Sequence, residues 1–338
     1  MRVALYIAAS SAALISLFFY SLSIGVFHMS PLDVLYAVNS QGPEGAVARM
    51  RLARSVTAVA VGAALAVAGA ALQSALRNPL ASPFTLGIPQ AAAVGVALAI
   101  FLAGAGVVTR GLVSIANPYF VIALAFATAF ADALLVLLFA SLGSFTLASI
   151  ILAMIAVSTM YQALLALLQY LFLNDLQTAA VVFWTFGDVG RPTLEESYLL
   201  LAVSVATLAY FWLRAVDFNL MSAGDEVAKS SGVEPKRLRL WTLLISSASV
   251  AVLVSFTGVI GFVGLAAPNM ARLIIGGEHR GLMPASALTG AWLLLGADVL
   301  GRVAKPPVII PVGITMSFIG AAFIIALLLQ ARKRGETW

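Results

Sequence analysis

Cysteine is absent from this 338-residue chain, charged side chains make up only 10% of it, and histidine occurs twice. Without cysteine there is no disulfide and no thiolate metal site. His28 and His279 stand too far apart for an H-E-x-x-H helix motif, so no metal site is predicted. Neither G-x-S-x-G nor G-x-x-x-x-G-K-[ST] occurs, which removes a common hydrolase nucleophile and the loop that cradles nucleotide phosphates. The chain is expected to be no enzyme and to bind no cofactor of its own. Scarcity of charge has the largest consequence. Apolar residues reach 62% and mean hydropathy is +1.04, against an apolar share of about 45–50% in soluble domains. Long runs such as A-L-I-S-L-F-F-Y and L-L-V-L-L-F-A do not alternate, which excludes a β-barrel and predicts an all-α polytopic membrane protein. The net charge of +5 comes without a basic run interleaved with aromatics, so basic membrane loops, not nucleic acid, account for it.

Apolar segments predict helices at about 3–27, 54–75, 86–104, 119–142, 146–173, 196–213, 240–262, 267–276, 284–301 and 311–330. Ten crossings in one membrane domain, 1–338, put both termini on one side. Twelve of the 19 Lys and Arg residues then share that side, so the expected topology in the plasma membrane has cytoplasmic termini.

Several stretches carry more than hydrophobicity. Between Arg214 and Arg239 lie nine of the 33 charged residues, an insert that must sit in water. Ser222 and Asp225 have capping-box spacing, Gly232 suits a helix stop, and Pro235 suits the first turn of another helix. Two short helices are expected there, either as a docking surface for a soluble partner or as a solvated loop. Gly62, Ala66, Ala70 and Ser74 form a small-residue stripe that allows close helix packing. Gln73 beside it must be bonded or face water. R-N-P-L-A-S-P-F-T-L-G, Arg77 to Gly87, cannot continue a helix and predicts a tight turn. The aromatic and acidic stretch from Asn174 to Ser197 reads as an interfacial lid or a solvated connection, with Asp175, Asp188, Glu195 and Glu196 facing the outside medium. Gly258, Gly261, Gly264 and Pro268 predict a broken helix. Asp298 and Arg302 are spaced to pair across one turn, and Asp132 is expected to be a paired or snorkelling acid.

Taken together, R-L-A-R (Arg51 to Arg54), G-A-A-L-A-V-A-G-A-A-L-Q (Gly62 to Gln73), the Arg77–Gly87 turn, G-F-V-G-L-x-x-P-x-x-A-R from Gly261, E-H-R-x-L-x-P from Glu278, G-A-W-L-L-L-G-A-D-V-L-G-R from Gly290 and P-V-G-I-T from Pro311 fall in one order. In that order the chain resembles, over nearly its whole length, the permease subunits of type II ABC importers for iron chelates, haem and cobalamin. The resemblance implies a homodimer around a central path, two cytoplasmic ATPase subunits carrying ATP and Mg, and an extracytoplasmic substrate-binding protein. It implies that Gly224, Asp225, Glu226, Ala228, Lys229, Gly232 and Arg237 couple to the ATPase. Arg51, Arg54 and Arg302 match positions that receive acidic side chains of the binding protein. Gln73, Met154, Gly320 and Ala322 are expected along the path, which in the family lies between the helices predicted at 146–173 and 311–330. The implied substrate is a ferric chelate, with cobalamin, haem and molybdate-type oxyanions as alternatives and a secondary transporter as the rival class. Asn269 stands where the family has histidine, Met154 where it commonly has glycine, Ile309-Ile310 where an acid is frequent, and Gly320-Ala321-Ala322 where Gly-Ala-Pro is usual. These departures bear on which substrate is moved.

Overall fold

The computed structural model describes residues 1–25, 27–103, 107–109, 112–114 and 117–334. In chain order the helices are α1 (Arg2–Ser23), α2 (Pro31–Ala37), α3 (Pro43–Ala75), α4 (Ile88–Leu102), α5 (Pro118–Leu142), α6 (Leu147–Leu171), α7 (Asp175–Thr185), α8 (Leu194–Leu213), α9 (Ala215–Ala223), α10 (Asp225–Ser230), α11 (Pro235–Thr257), α12 (Val263–Ile275), α13 (His279–Val303) and α14 (Val312–Arg334). A 3-10 turn at Pro83–Leu86 precedes α4, and a small antiparallel hairpin, β1 (Val107–Thr109) with β2 (Leu112–Ser114), follows it. Seven helices are long and apolar enough to cross a membrane, and three shorter apolar ones, α4, α12 and the Val312–Leu327 part of α14, bring the spans to ten. Each coincides with a helix expected from the sequence; the predicted end at residue 104 lies outside the described residues.

The largest difference is α3, which begins at Pro43, eleven residues before its expected start. Gly42 has φ 99°, Pro43 takes the first helical position, and Glu44 sits in the first turn, so the helix starts where Pro and an acid favour it. From Ala58 to Leu76 α3 is almost wholly buried, packed on α8, α11, α12 and α13. A helix apolar on every side belongs inside a bundle. Its small residues permit the crossings. A Cβ on Gly62 would overlap the carbonyl of Gly290, and one on Gly290 the carbonyl of Gly62, so α3 and α13 touch backbone to backbone. A Cβ on Gly69 would overlap the carbonyl oxygen of Gly264. Pro268, inside α12, has no N–H to give that oxygen, and the α3 backbone fills the space beside it.

α11 breaks at Gly258 (φ 75°), and α12 starts at Val263 after Phe262 turns the chain at φ 66°. The break therefore precedes Gly264 and Pro268, which lie within α12. The stretch after α6, expected as a lid or solvated connection, contains α7. Asn174 and Gln177 form a reciprocal capping box at its start, and Trp184 is buried at its end.

Candidate functional site

The start of α1 and the last described turn of α14 lie at the end of the bundle that carries α9 and α10. At that end Val3 approaches Gly281, whereas at the other end of α1 Ser21 meets Arg302. α14 begins against Phe186 and Val259 at this second end and runs back. The two faces are therefore polar in different ways.

The first face is a foot built from the Arg214–Arg239 insert. α9 and α10 are the two short helices expected, although Pro235 opens the spanning helix α11 instead of another short one. The Ser222–Asp225 capping box does not form. Gly224 (φ 125°) is the N-cap, and the Ser222 hydroxyl donates to the Phe218 carbonyl. Asp225 turns instead to Arg239, whose Nη2 donates to both carboxylate oxygens at 2.7 and 2.9 Å. Arg239 is 3% exposed, and its Nε donates to the Ala75 carbonyl at 3.1 Å. This carbonyl lies in the last turn of α3, where a cation is favoured. Phe218, Met221 and Ala228 are fully buried and join Phe211, Leu238 and Met283 in a separate apolar cluster, so the foot is packed onto the bundle. Ala228 consequently faces inward and offers no contact surface. Glu226, Lys229, Gly232 and Arg237 are exposed, as is Val227, which the sequence reading missed although it is the one apolar residue between Glu226 and the buried Ala228. Glu278 anchors the neighbouring start of α13. Burial opposes its ionisation, but the N–H groups of Arg280 and Gly281 and the Asn219 amide outweigh this and hold it below the ordinary glutamate range.

Just inside the foot, Gln73 is 3% exposed and accepts from Arg272 Nη1 at 3.1 Å. The same nitrogen donates to Asn269 Oδ1 at 3.1 Å, while Asn269 Nδ2 donates to the Pro79 and Leu265 carbonyls at 3.0 and 2.9 Å. Asn269 thus ties α12 to the Arg77–Gly87 turn.

At the opposite end the three arginines expected to dock a partner lie close together, but engaged within the chain. Arg54 Nε and Nη2 both lie 2.8 Å from Asp298 Oδ1, and Nη2 is 3.1 Å from Asp188. Arg302 Nε is 3.0 Å from Asp298 Oδ2, the expected one-turn pair, and Nη1 donates to the Ser21 carbonyl at 2.9 Å. Asp298 is fully buried. Asp188, expected in the outside medium, is drawn onto Arg54 and holds the α7–α8 connection to α3. Arg51 is 7% exposed and donates to the Leu22, Ser23 and Phe27 carbonyls; it meets no carboxylate among the described residues. Arg54 and Arg302 are therefore staples of the rim and not open forks.

The four residues expected along the path do not share one surface. Ala322 is exposed, whereas Gln73 and Met154 are buried in the packing and Gly320 lies beneath the Phe262 ring. Methionine at 154 is 5% exposed because α6 turns that side to the core. The outward side of α6 carries Thr159 and Gln162 among Leu152, Ile155 and Leu167, and α14 exposes Ser317 beside Phe318. The Thr159 and Ser317 hydroxyls donate to carbonyls of their own helices, but an exposed amide such as that of Gln162 is costly against lipid, so this side marks a wet or protein-covered surface. Gln162 in an apolar run was the available signal. Asp132 contradicts its expectation in another way: it is fully buried and neither carboxyl oxygen has a hydrogen-bond partner among the described residues, so there it is neither paired nor snorkelling.

Residues 13–330 match the FecCD transport family. A Methanocaldococcus jannaschii protein named as an ABC transporter permease is 43% identical over 93% of this chain and 91% of its own length. The cobalamin import system permease protein of Halobacterium salinarum is 36% identical, covering 90% and 80% respectively. Among solved structures, an inward-facing transporter described as of metal-chelate type superposes with a TM-score of 0.82 and 28% identity over 97% of this chain and 99% of that one. A foot without a nucleotide-binding loop, on ten packed spans, is what a permease lacking its own motor requires: the chain belongs to the FecCD transport family and is a multi-pass permease subunit of an ABC importer, with ATP hydrolysis on a separate subunit.

Proposed function

We propose that two copies of this permease enclose a path for a ferric chelate, with one ATPase subunit on each foot and a substrate-binding protein on the opposite face. The observation that carries the reading is the foot itself: two short helices, each with one face exposed, clamped to the core helix α3 through Arg239. The distribution of Lys and Arg, twelve of 19 on that side of the ten spans, supports a cytoplasmic position for the foot and both termini. Glu226, Val227, Lys229, Gly232 and Arg237 form the surface the ATPase grips. ATP draws the ATPase pair together, and the feet carry that movement into α3. Thr159, Gln162, Ser317 and Ala322 face the path between the copies. Of the three rim arginines, Arg51 is the one that meets no carboxylate among the described residues, so its charge attracts an acidic partner, while Arg54 and Arg302 keep the rim in shape.

A ferric chelate fits the metal-chelate type of the structural neighbour. Relatives named for haemin, ferric citrate and cobalamin import keep haem and cobalamin as the second reading. In vesicles, the permease joined with its ATPase and binding protein is expected to accumulate a ferric chelate only with ATP, and Arg51→Gln to weaken binding-protein docking without loss of ATPase assembly. Accumulation by the permease alone would sink the importer reading, and cobalamin uptake in place of chelate uptake would sink the substrate.

A further inference from the structure

Between the foot and the core lies a cavity of about 320 Å³ lined by Gln73, Arg77, Asn78, Ser222, Arg272 and His279 among others, with no carboxylate in its wall. Arg272 uses one nitrogen on the neutral oxygens of Gln73 and Asn269. Its Nε and Nη2 have no acceptor among the described residues, and the residue lines the cavity. Arg77 is held at φ 46°, an uncommon conformation for a side chain of its size. Its guanidinium makes no hydrogen bond among the described residues and only a 3.5 Å contact with Asp225, a carboxylate already taken by both of its oxygens to Arg239. Among the described residues, then, Arg77 and Arg239 share the one carboxylate of Asp225, and Arg272 meets none. Glu278 does not repair the deficit, since its oxygens are occupied by Asn219 and the backbone of Arg280 and Gly281. Asn78 accepts from Leu80 N through Oδ1, which leaves its NH₂ as a donor.

A partly desolvated cation without a counter-charge is costly, and a planar guanidinium fork is matched by a phosphate-type oxyanion. We propose that the cavity is a binding site for a small phosphate-class oxyanion, held by Arg272 and Arg77 with the Asn78 amide. The anion would join α12 to the turn after α3. Through Arg77, which lies against Gly224 at the α9–α10 joint, its occupancy stiffens the attachment of the foot. That the cavity opens to the cytosol rests on the orientation proposed above; the binding itself does not.

The test uses the full chain in phosphatidylcholine nanodiscs, with thermal unfolding followed as inorganic phosphate replaces chloride at matched ionic strength. A saturable rise in unfolding temperature is expected, with Arg77→Gln and Arg272→Gln each weakening the apparent affinity about tenfold, the loss of one charge-assisted hydrogen bond. Lys305→Gln, at the opposite end, is expected to respond as the parent does. Nanodiscs containing phosphatidylglycerol without free phosphate form the second arm. Stabilisation there that Arg77→Gln removes assigns the oxyanion to a lipid headgroup; stabilisation only by free phosphate assigns it to the solution. The Arg77 side chain makes no hydrogen bond among the described residues, so its variant keeps the test available if Arg272→Gln does not fold. The site is refuted if neither arm exceeds chloride, if both variants respond like the parent, or if a response arises only on adding the ATPase subunit, which would give the two arginines to a partner's carboxylate.

Discussion

Replacing Asp298 by Asn keeps the shape of the side chain and removes the one charge that both Arg54 and Arg302 share. Asp298 is fully buried, and the side chains of Arg54 and Arg302 are 12% and 6% exposed. At an effective dielectric of about 20, each contact near 3 Å is worth about 5 kcal/mol of attraction. Desolvation of three groups and repulsion between the two guanidinium groups offset much of it. What remains for the variant is an uncompensated buried cation: Arg54 retains Asp188 at 3.1 Å, but Arg302 keeps only the carbonyl and hydroxyl oxygens of α1. Breaking a buried pair in this way costs roughly 3–5 kcal/mol. Unfolding of detergent-solubilised protein with increasing denaturant, followed by tryptophan fluorescence, measures the loss. The decisive comparison is the double variant Asp298→Asn/Arg302→Gln, in which the orphaned cation is also gone. It is expected to be more stable than the sum of the single changes by about 0.5–3 kcal/mol. A loss below about 1 kcal/mol, the range of an exposed ion pair, or strict additivity of the two changes would refute the idea that this triad staples the rim.

Two further predictions concern packing and capping. Gly62→Ala and Gly290→Ala each place a methyl group on a facing backbone carbonyl, which cannot rotate away, so each is expected to cost about 1–3 kcal/mol in the same assay; an unchanged midpoint would mean that α3 and α13 can separate freely. The Glu278 carboxyl is held below its ordinary value, so its support of the α13 start is complete above the unfolded pKa and lost as pH falls through the lower folded one. Protection of the Arg280 and Gly281 amides against hydrogen exchange, corrected for the intrinsic rate, is expected to fall across that acidic window, and Glu278→Gln to abolish the change.

All ten spans were legible from hydropathy, because a helix needs no tertiary information to be recognised when lipid leaves the backbone no alternative. The foot was legible as a charge anomaly, and the Asp298–Arg302 pair from its one-turn spacing. What stayed hidden depends on the third dimension. Arg54 reaches Asp298 across 244 positions of sequence, and nothing local indicates that an arginine at a membrane rim is consumed inside the chain. Ala228 looks like part of an exposed hydrophilic stretch until the neighbouring Phe218 and Met221 are seen to bury it. α7 could have been found: Asn174 followed by Gln177 is the same kind of cap signal that Thr193 and Glu196 give at the start of α8. Its aromatic and acidic content concealed it.

The attachment of Arg239 at the base of α3 has a mechanical consequence. A lever hinged loosely at its root absorbs a push as slack. This one is bolted to the beam around which α8, α11, α12 and α13 are stacked, so a tug on the short helices has nowhere to dissipate before it reaches the middle of the bundle. α6 and α14 stand at the periphery with many of their described residues uncovered, so fewer neighbours hold them in place when the beam shifts.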